Sequence, residues 1–341
     1  MTALRFGILG CANIAKPFVR DVAASPAVRV VAAASRNADT AAAFAAAHGI
    51  ARHHGSYEAL LADAEVDAIY LPLPNSLHAE WAIKAAESGK HVLCEKPLAL
   101  DAGQARAMFD AAQRHGVMLL EAFPYYFQPQ TGDMLALLHG GVIGSVRSVQ
   151  ACFGFTLSNP QGNIRMNREL GGGALLDAGS YALSLIRLAM GCAPQRVQAD
   201  AHWAESGVDI SLAGTLYYAD GRRAQLTCAM DTAVHRRAII VGTQGVIETE
   251  YLNHTSTQAG GDARGYRPSQ LRVRRGIGQP FEDIRSGVGS GFQFAAEAFA
   301  KVVAEQDFAA IGRAAAASLD NAATLEALAL SARLKQAVEL S

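Results

Sequence analysis

The sequence predicts an α/β protein in two parts. Residues 1–121 read as a doubly wound parallel sheet, and residues 122–341 as an α/β domain with an open, mostly antiparallel sheet. Three observations predict this. Short apolar runs alternate with alanine-rich helical segments in the first third of the chain. Those runs are apolar on both faces, as a parallel sheet covered by helices requires. Beyond residue 145 several runs alternate in polarity, the mark of a sheet with one face in the core.

The first strands are RFGILG (5–10), VRVVAAAS (28–35), DAIYLPLP (67–74), KHVLCEKP (90–97) and VMLLEAF (117–123). Helices fall between them, as in NADTAAAFAAAHGI (37–50) and LHAEWAIKAAESG (77–89), and stop at Gly49, Gly89 and Gly116. Strands separated by such helices imply crossover connections and a parallel sheet. In the second part VRSVQACFGF, RVQADAHW, ISLAGTLYYAD, RRAQLTCAMD, RRAIIVG and GVIETEY read as strands, with a hairpin turn at ADGR (219–222). One long helix is expected at about 173–190, and two more at about 291–306 and 313–338, all on one face of the sheet. The glycine-punctuated residues 253–290 read as a long irregular connection.

Composition narrows the class of function. The chain has 341 residues, 50% hydrophobic and 18% charged, enough for two cores. A formal net charge of −1 argues against a nucleic-acid partner, which normally selects a basic excess. No run of about 18 uncharged apolar residues predicts a membrane span. The N-terminal MTALRFGILG lacks the h-region of a signal peptide. The five cysteines have neither zinc-knuckle nor redox-pair spacing, so reduced thiols, a cytoplasmic location and no metal are expected.

The first strand runs into Gly10-Cys11-Ala12-Asn13-Ile14-Ala15. A G-x-G-x-x-G/A turn between a strand and a helix binds the pyrophosphate of a dinucleotide, and this is the Rossmann arrangement. Here Ala12 replaces the second glycine. The following helix offers free N–H groups and a partial positive charge. The second strand ends in Ser35 and Arg36 with no acid for a ribose 2′-hydroxyl. Arginine matches a 2′-phosphate, which favours NADP, with NAD as second choice.

Ligands of such sheets lie beyond the carboxyl ends of the strands. Glu95, Lys96 and Pro97 stand at one such end, and Pro72, Pro74 and Asn75 at another. A lysine there can hold a substrate oxygen and favour deprotonation of a neighbouring hydroxyl. A second constellation is GGGALLDAGSY (171–181), where three glycines lead into a helix carrying Asp177 and Tyr181 four residues apart. Tyr181 reads as an acid/base group and Asp177 as a group that orients something beside it. A nearby ammonium and a nicotinamide charge would lower the tyrosine's pKa and ease proton exchange with an alcohol.

GILGCANIA, SYEALLAD (56–63), YLPLPNSLHAEW (70–81), HVLCEKPL (91–98), LLEAF (119–123) and NIRMNRELGGGALLDAGSY (163–181) occur in that order. The sequence resembles the Gfo/Idh/MocA family along nearly its whole length. It is most similar to the branch holding dimeric dihydrodiol dehydrogenase and NADP-dependent D-xylose dehydrogenase. The resemblance implies that Lys96 and Tyr181 flank the nicotinamide, with Asp177 as third polar member. It also implies a homodimer or homotetramer packed through the second sheet. Candidate cofactor contacts are Gly10, Ala12, Asn13, Ile14, Ser35, Arg36, Pro72, Asn75, His78 and Glu95. Candidate substrate contacts are Tyr126 and Arg165.

Close relatives often read E-A-F-M-Y-R-F-H-P-Q where this chain reads EAFPYYFQPQ (121–130). With Pro124, Tyr126 and Gln128 in place of methionine, arginine and histidine, a tyrosine and an amide are left to donate hydrogen bonds. That favours a neutral polyol over a carboxylated or phosphorylated ligand. The expected activity is hydride transfer between NADP and a hydroxyl or carbonyl of a sugar or cyclic diol. The alternatives are an NAD-dependent inositol-type dehydrogenase and a non-catalytic NADP-binding sensor or repressor.

Overall fold

The structure, a computed structural model, describes residues 2–255, 267 and 270–340. It divides into two compact units. The first comprises Met1–Ala99, Gly103–Pro124 and Ser290–Ser318; the second comprises Leu100–Ala102, Tyr125–Gly289 and Leu319–Ser341.

The first unit alternates strand and helix: β1 Leu4–Leu9, α1 Ala15–Val22, β2 Val28–Ala34, α2 Ala38–His48, β3 Arg52–His54, α3 Tyr57–Leu61, β4 Ala68–Leu71, α4 His78–Glu87, β5 His91–Glu95, α5 Ala102–Arg114 and β6 Leu119–Ala122. All six strands are parallel in the order β3-β2-β1-β4-β5-β6. The expected parallel sheet is therefore present, with one strand more than the apolar runs indicate. β3 is only Arg-His-His, too short and polar to register as a run. Strand order reverses between β1 and β4, which places the binding crevice of such a sheet beyond their carboxyl ends.

Helix α8 (Gly291–Glu305) also belongs to this unit. Its Phe292 and Phe299 join Phe6, Phe18 and Tyr70 in one core. Phe18 stacks on Tyr70 at 3.7 Å between centroids, and Phe292 meets Phe18 edge-on at 6.1 Å. Burying each phenylalanine is worth about 1.5–3 kcal/mol, so this aromatic cluster is what holds α8 there.

The second unit is built on α6 (Pro129–His139), β7 (Val146–Thr156), α7 (Ser180–Met190), β8 (Arg196–Trp203), β9 (Asp209–Tyr217), β10 (Arg223–Ala229), β11 (Asp231–Gly242), β12 (Gly245–Thr249), the two-residue β13 (His254–Thr255), β14 (Leu271–Arg275), β15 (Glu282–Ile284), β16 (Gly289–Ser290), the end of α9 (Phe308–Leu334) and β17 (Val338–Glu339). Nine strands form one sheet in the order β15-β14-β12-β11-β7-β10-β9-β8-β17. Every pair is antiparallel except β7 with β10. The ADGR turn does join β9 to β10, with Tyr217 opposite Arg223.

Alternation gives this sheet two unlike faces. Val149, Ala151, Leu226, Leu216 and Ile240 are buried beneath helices, whereas Gln150, Arg223, Gln225, Thr227 and Arg237 lie on the other face and are exposed. Helix α7 packs on β7, β10 and β11, and Leu328 of α9 reaches β9 at Gly214.

Four expectations need correction. The helix expected at about 291–306 packs in the first unit rather than on the second sheet, because its phenylalanines join that unit's core. The predicted helix at 173–190 opens with a π-helical turn, Leu175–Gly179, before α7 becomes regular. The last helix starts at Phe308 rather than 313, ends at Leu334, and is followed by β17. Residues 253–290 are not simply irregular, because β14 and β15 are hydrogen-bonded strands of the sheet. Leu271 and Val273 point inward between outward arginines, a strand signal hidden by the surrounding glycines. The residues 256–266, 268 and 269 of that segment lie outside the described residues.

Candidate active site

The glycine turn has the geometry a pyrophosphate needs. Gly10 has φ +115°, and a Cβ there would stand 2.5 Å from Leu73 Cδ2, so only glycine fits. Its N–H donates to Ala34 O at 3.0 Å, which pins the turn to the end of β2. Ala12 and Cys11 are half-buried, while Asn13 and Ile14 are exposed. Helix α1 then begins without a side-chain cap and without an acid in its first turn, so its N–H groups face an electrostatically suitable place for an anion. These residues fit a dinucleotide. The methyl of Ala12 leaves the turn intact.

At the end of β2, Ser35 Oγ accepts the Asn37 N–H at 3.3 Å, and Arg36 is exposed. Burial pushes the Tyr57 phenol above its ordinary range, and Arg36 beside it pulls the other way. Arg36 is therefore held near the turn, with the charge and shape to receive a 2′-phosphate.

Lys96 follows the last residue of β5 and is half-buried. The bond to Pro97 is cis. Glu95 is buried and does not point out as a solvated partner: its Oε1 accepts from Tyr70 Oη at 2.5 Å and its Oε2 from Lys96 N at 3.3 Å. His78 is fully buried, with Nδ1 2.8 Å from Pro97 O and Nε2 2.8 Å from Leu73 O. Both ring nitrogens are committed to backbone, so the imidazole supports the Lys96 segment. Pro72 is buried, and Asn75 opens a 3₁₀ turn ahead of α4.

In the second unit Tyr181 is buried on α7. Its ring meets Phe153 edge-on at 5.3 Å and Tyr125 at 6.0 Å. Its hydroxyl accepts from Asn253 Nδ2 at 3.2 Å. Arg236, paired with Phe153 across β11 and β7, places its guanidinium 4.1 Å from the Phe153 ring and 5.6 Å from that of Tyr181. The register slips between Asp231 and His235, a bulge that sets which face Arg236 occupies. Asp177 sits in the π-turn, and its Oδ2 accepts from Arg165 Nε at 2.5 Å. Two residues named separately from the sequence thus form one ion pair.

Tyr126 is exposed and packs on Phe127 at 5.1 Å. Gln128 contradicts the expectation that its amide is left for a ligand. It is buried, donates to Asn253 O and Gly289 O, and accepts from Thr255 Oγ1. Sequence reasoning missed Asn253, Arg236 and Glu121. Glu121 had a signal, an acid inside an apolar parallel strand; Asn253 lies in a connection and had none.

Two family models match the chain. One describes an oxidoreductase family with an NAD-binding Rossmann fold, over residues 4–123; the other is the GFO/IDH/MocA C-terminal domain, over residues 133–248. The chain is also 36% identical to D-xylose 1-dehydrogenase (NADP(+)) 2 of Haloferax volcanii, across 99% of this chain and 100% of that protein. It belongs to the Gfo/Idh/MocA family of oxidoreductases. This Gfo/Idh/MocA protein is 34% identical to the trans-1,2-dihydrobenzene-1,2-diol dehydrogenase of Xenopus tropicalis, over 85% of this chain and 91% of that one. Among solved structures it is similar to a 3-ketoreductase of Actinomadura kijaniata in complex with NADP and TDP-benzene. The identity is 32% and the TM-score 0.84, over 96% of this chain and 98% of that one. The α/β architecture expected from the sequence is the architecture found.

Proposed function

We propose that the protein transfers a hydride between NADP and a hydroxyl or carbonyl of a sugar or cyclic diol. Residues 1–121 would hold the cofactor, and residues 122–341 would recognise substrate. The observation that carries this reading is the placement of Lys96 immediately beyond the carboxyl end of β5, in the sheet whose Gly10 turn and Arg36 suit NADP. The relatives named above are a D-xylose 1-dehydrogenase, a trans-1,2-dihydrobenzene-1,2-diol dehydrogenase and a 3-ketoreductase, and two of the three carry NADP in their descriptions.

In this reading the Lys96 ammonium donates to the reacting oxygen of the substrate. Tyr181 exchanges a proton with that oxygen. The Asn253 amide donates to the Tyr181 oxygen and so favours the phenolate left when the proton departs. Asp177 holds Arg165 as a fixed donor for further substrate hydroxyls. The nicotinamide, when bound, supplies or accepts the hydride. A homodimer or homotetramer through the open face of the second sheet, and a cytoplasmic location, complete the proposal. Among the described residues no helix is long and apolar enough to cross a membrane.

The test is reduction of NADP or NAD by D-xylose, D-glucose, myo-inositol and a cyclic trans-diol, followed by absorbance of the reduced nicotinamide. Reduction of NADP by one of them is expected. Lys96→Met and Tyr181→Phe should each lose roughly 10²-fold or more in kcat while folding normally. Turnover retained within about tenfold by both would misplace the chemistry. Tight cofactor binding without turnover of any polyol would favour a sensor.

A further inference from the structure

The backbone of Lys96, Pro97 and Leu98 is held at three consecutive residues by three buried ionisable side chains. Glu95 Oε2 accepts the Lys96 N–H at 3.3 Å, His78 Nδ1 stands 2.8 Å from Pro97 O, and Glu121 Oε1 accepts the Leu98 N–H at 2.9 Å. These side chains come from β5, α4 and β6. Each is anchored at its far end as well. Tyr70 Oη donates to Glu95, Leu73 O faces His78 Nε2, and Ser318 Oγ donates to Glu121 Oε2 at 2.6 Å.

Holding two N–H groups and a carbonyl does not require ionisable residues. Amides or hydroxyls would satisfy the same three backbone atoms without the desolvation cost of a buried carboxylate. Glu121 in particular is 8% exposed and lies on β6, the strand beside β5, in register with Cys94. The groups that feel or influence its charge are Glu95 and Lys96 at the end of β5, and the Cys94 thiol. Of these, Lys96 is the one cation.

We propose that Glu121 is a positioning residue for Lys96: it fixes the peptide that follows the lysine, and gain or loss of its negative charge sets the field in which the ammonium works. This rests on the role given to Lys96 above. Burial pushes the Glu121 carboxyl up to about 7; the hydrogen bonds from Ser318 and Leu98 and the charge of Lys96 oppose that rise, while Glu95 adds to it. The switch therefore falls in the neutral range. The ionised carboxylate favours the ammonium form of Lys96, so activity should climb as pH rises through this range.

The experiment follows Lys96 itself. Lysines of the full-length protein are reductively methylated with a ¹³C label, and the Lys96 resonance is assigned by its loss in Lys96→Met. In the wild-type protein this resonance should show an inflection near neutral pH, caused by Glu121. Glu121→Gln should remove the inflection. Ser318→Ala deletes a hydrogen bond to the carboxylate, and should move the inflection to higher pH by about half a unit or more. Where a substrate is turned over, the acidic limb of kcat/KM should follow the same pattern, and Glu121→Gln should lower its plateau about tenfold. A Lys96 resonance with no neutral inflection, or one that survives Glu121→Gln, overturns the proposal. If Glu121→Gln does not fold, the direction of the Ser318→Ala shift decides alone. The resonance is read without turnover, so absence of activity would count against the function proposed above and not against this coupling.

Discussion

Arg165 Nε donates to Asp177 Oδ2 at 2.5 Å, so the acid expected to orient a group beside Tyr181 is itself held by an arginine. The pair is partly exposed, with side-chain accessibilities of 40% for Arg165 and 18% for Asp177. Such a pair contributes little to stability, about 0–1 kcal/mol. Its value would lie in fixing the guanidinium. Arg165→Ala and Asp177→Asn should each lower kcat/KM while changing unfolding free energy by less than about 1 kcal/mol. The double variant should be no worse than the weaker single one. Additive kinetic losses would mean that the two act separately.

Gly10→Ala meets both a left-handed φ and a 2.5 Å approach to Leu73. The strain should cost about 1–3 kcal/mol of stability. It should also push the turn out of shape and weaken cofactor binding. Arg36→Ala, at an exposed position, should leave thermal stability unchanged. Its dissociation constant for NADP should rise about tenfold or more, with that for NAD little altered. Calorimetric titration with both cofactors separates the two variants. An equal loss for NAD and NADP in Arg36→Ala would remove the 2′-phosphate role.

Gln128 binds two carbonyls and a threonine hydroxyl inside the second unit. Gln128→Ala would leave those partners unsatisfied at about 1–3 kcal/mol for each group that water cannot reach. A lower urea midpoint is expected, with kcat per folded molecule near wild type. A selective loss of substrate affinity at unchanged stability would restore the ligand-binding role read from the sequence.

Asp209 Oδ2 accepts the Leu175 N–H at 2.6 Å, where the π-turn begins. Burial raises this carboxyl to about 6 from an ordinary 3.8, against that hydrogen bond and others. Between those two values the folded protein keeps a proton that the unfolded chain has lost. Stability from this group is therefore highest at low pH, falls as pH rises from about 4 to 6, and stays low above. The whole effect is on the order of 3 kcal/mol. Asp209→Asn should flatten that part of the profile. Urea unfolding of both proteins at mildly acidic and mildly alkaline pH reads the difference. Parallel profiles would assign the slope to other groups.

Residues close in sequence made much of this molecule legible. Ser56 and Asn37 cap α3 and α2, accepting from Ala59 N and Thr40 N. Gly49, Gly89 and Gly116 stop helices with φ between 64° and 72°. The sequence also singled out Lys96 and Tyr181 as candidates, because each stands at a punctuated boundary between elements. It misread Gln128, whose partners lie more than 120 residues away. Nor does anything local show that Tyr70 caps Glu95.

By itself, then, the sequence determined the class of fold, the parallel order of strand and helix, the position of the glycine turn and the family. The first three depend on apolar periodicity and backbone preference, which act over a few residues, and the family on the resemblance of its ordered motifs. Tertiary structure alone decided that α8 packs among Phe6, Phe18 and Tyr70. It also decided that Asp177 meets Arg165, and that Glu95, His78 and Glu121 hold consecutive residues around Pro97. A buried polar group must find a partner wherever the topology provides one, and that partner's distance along the chain leaves no local trace.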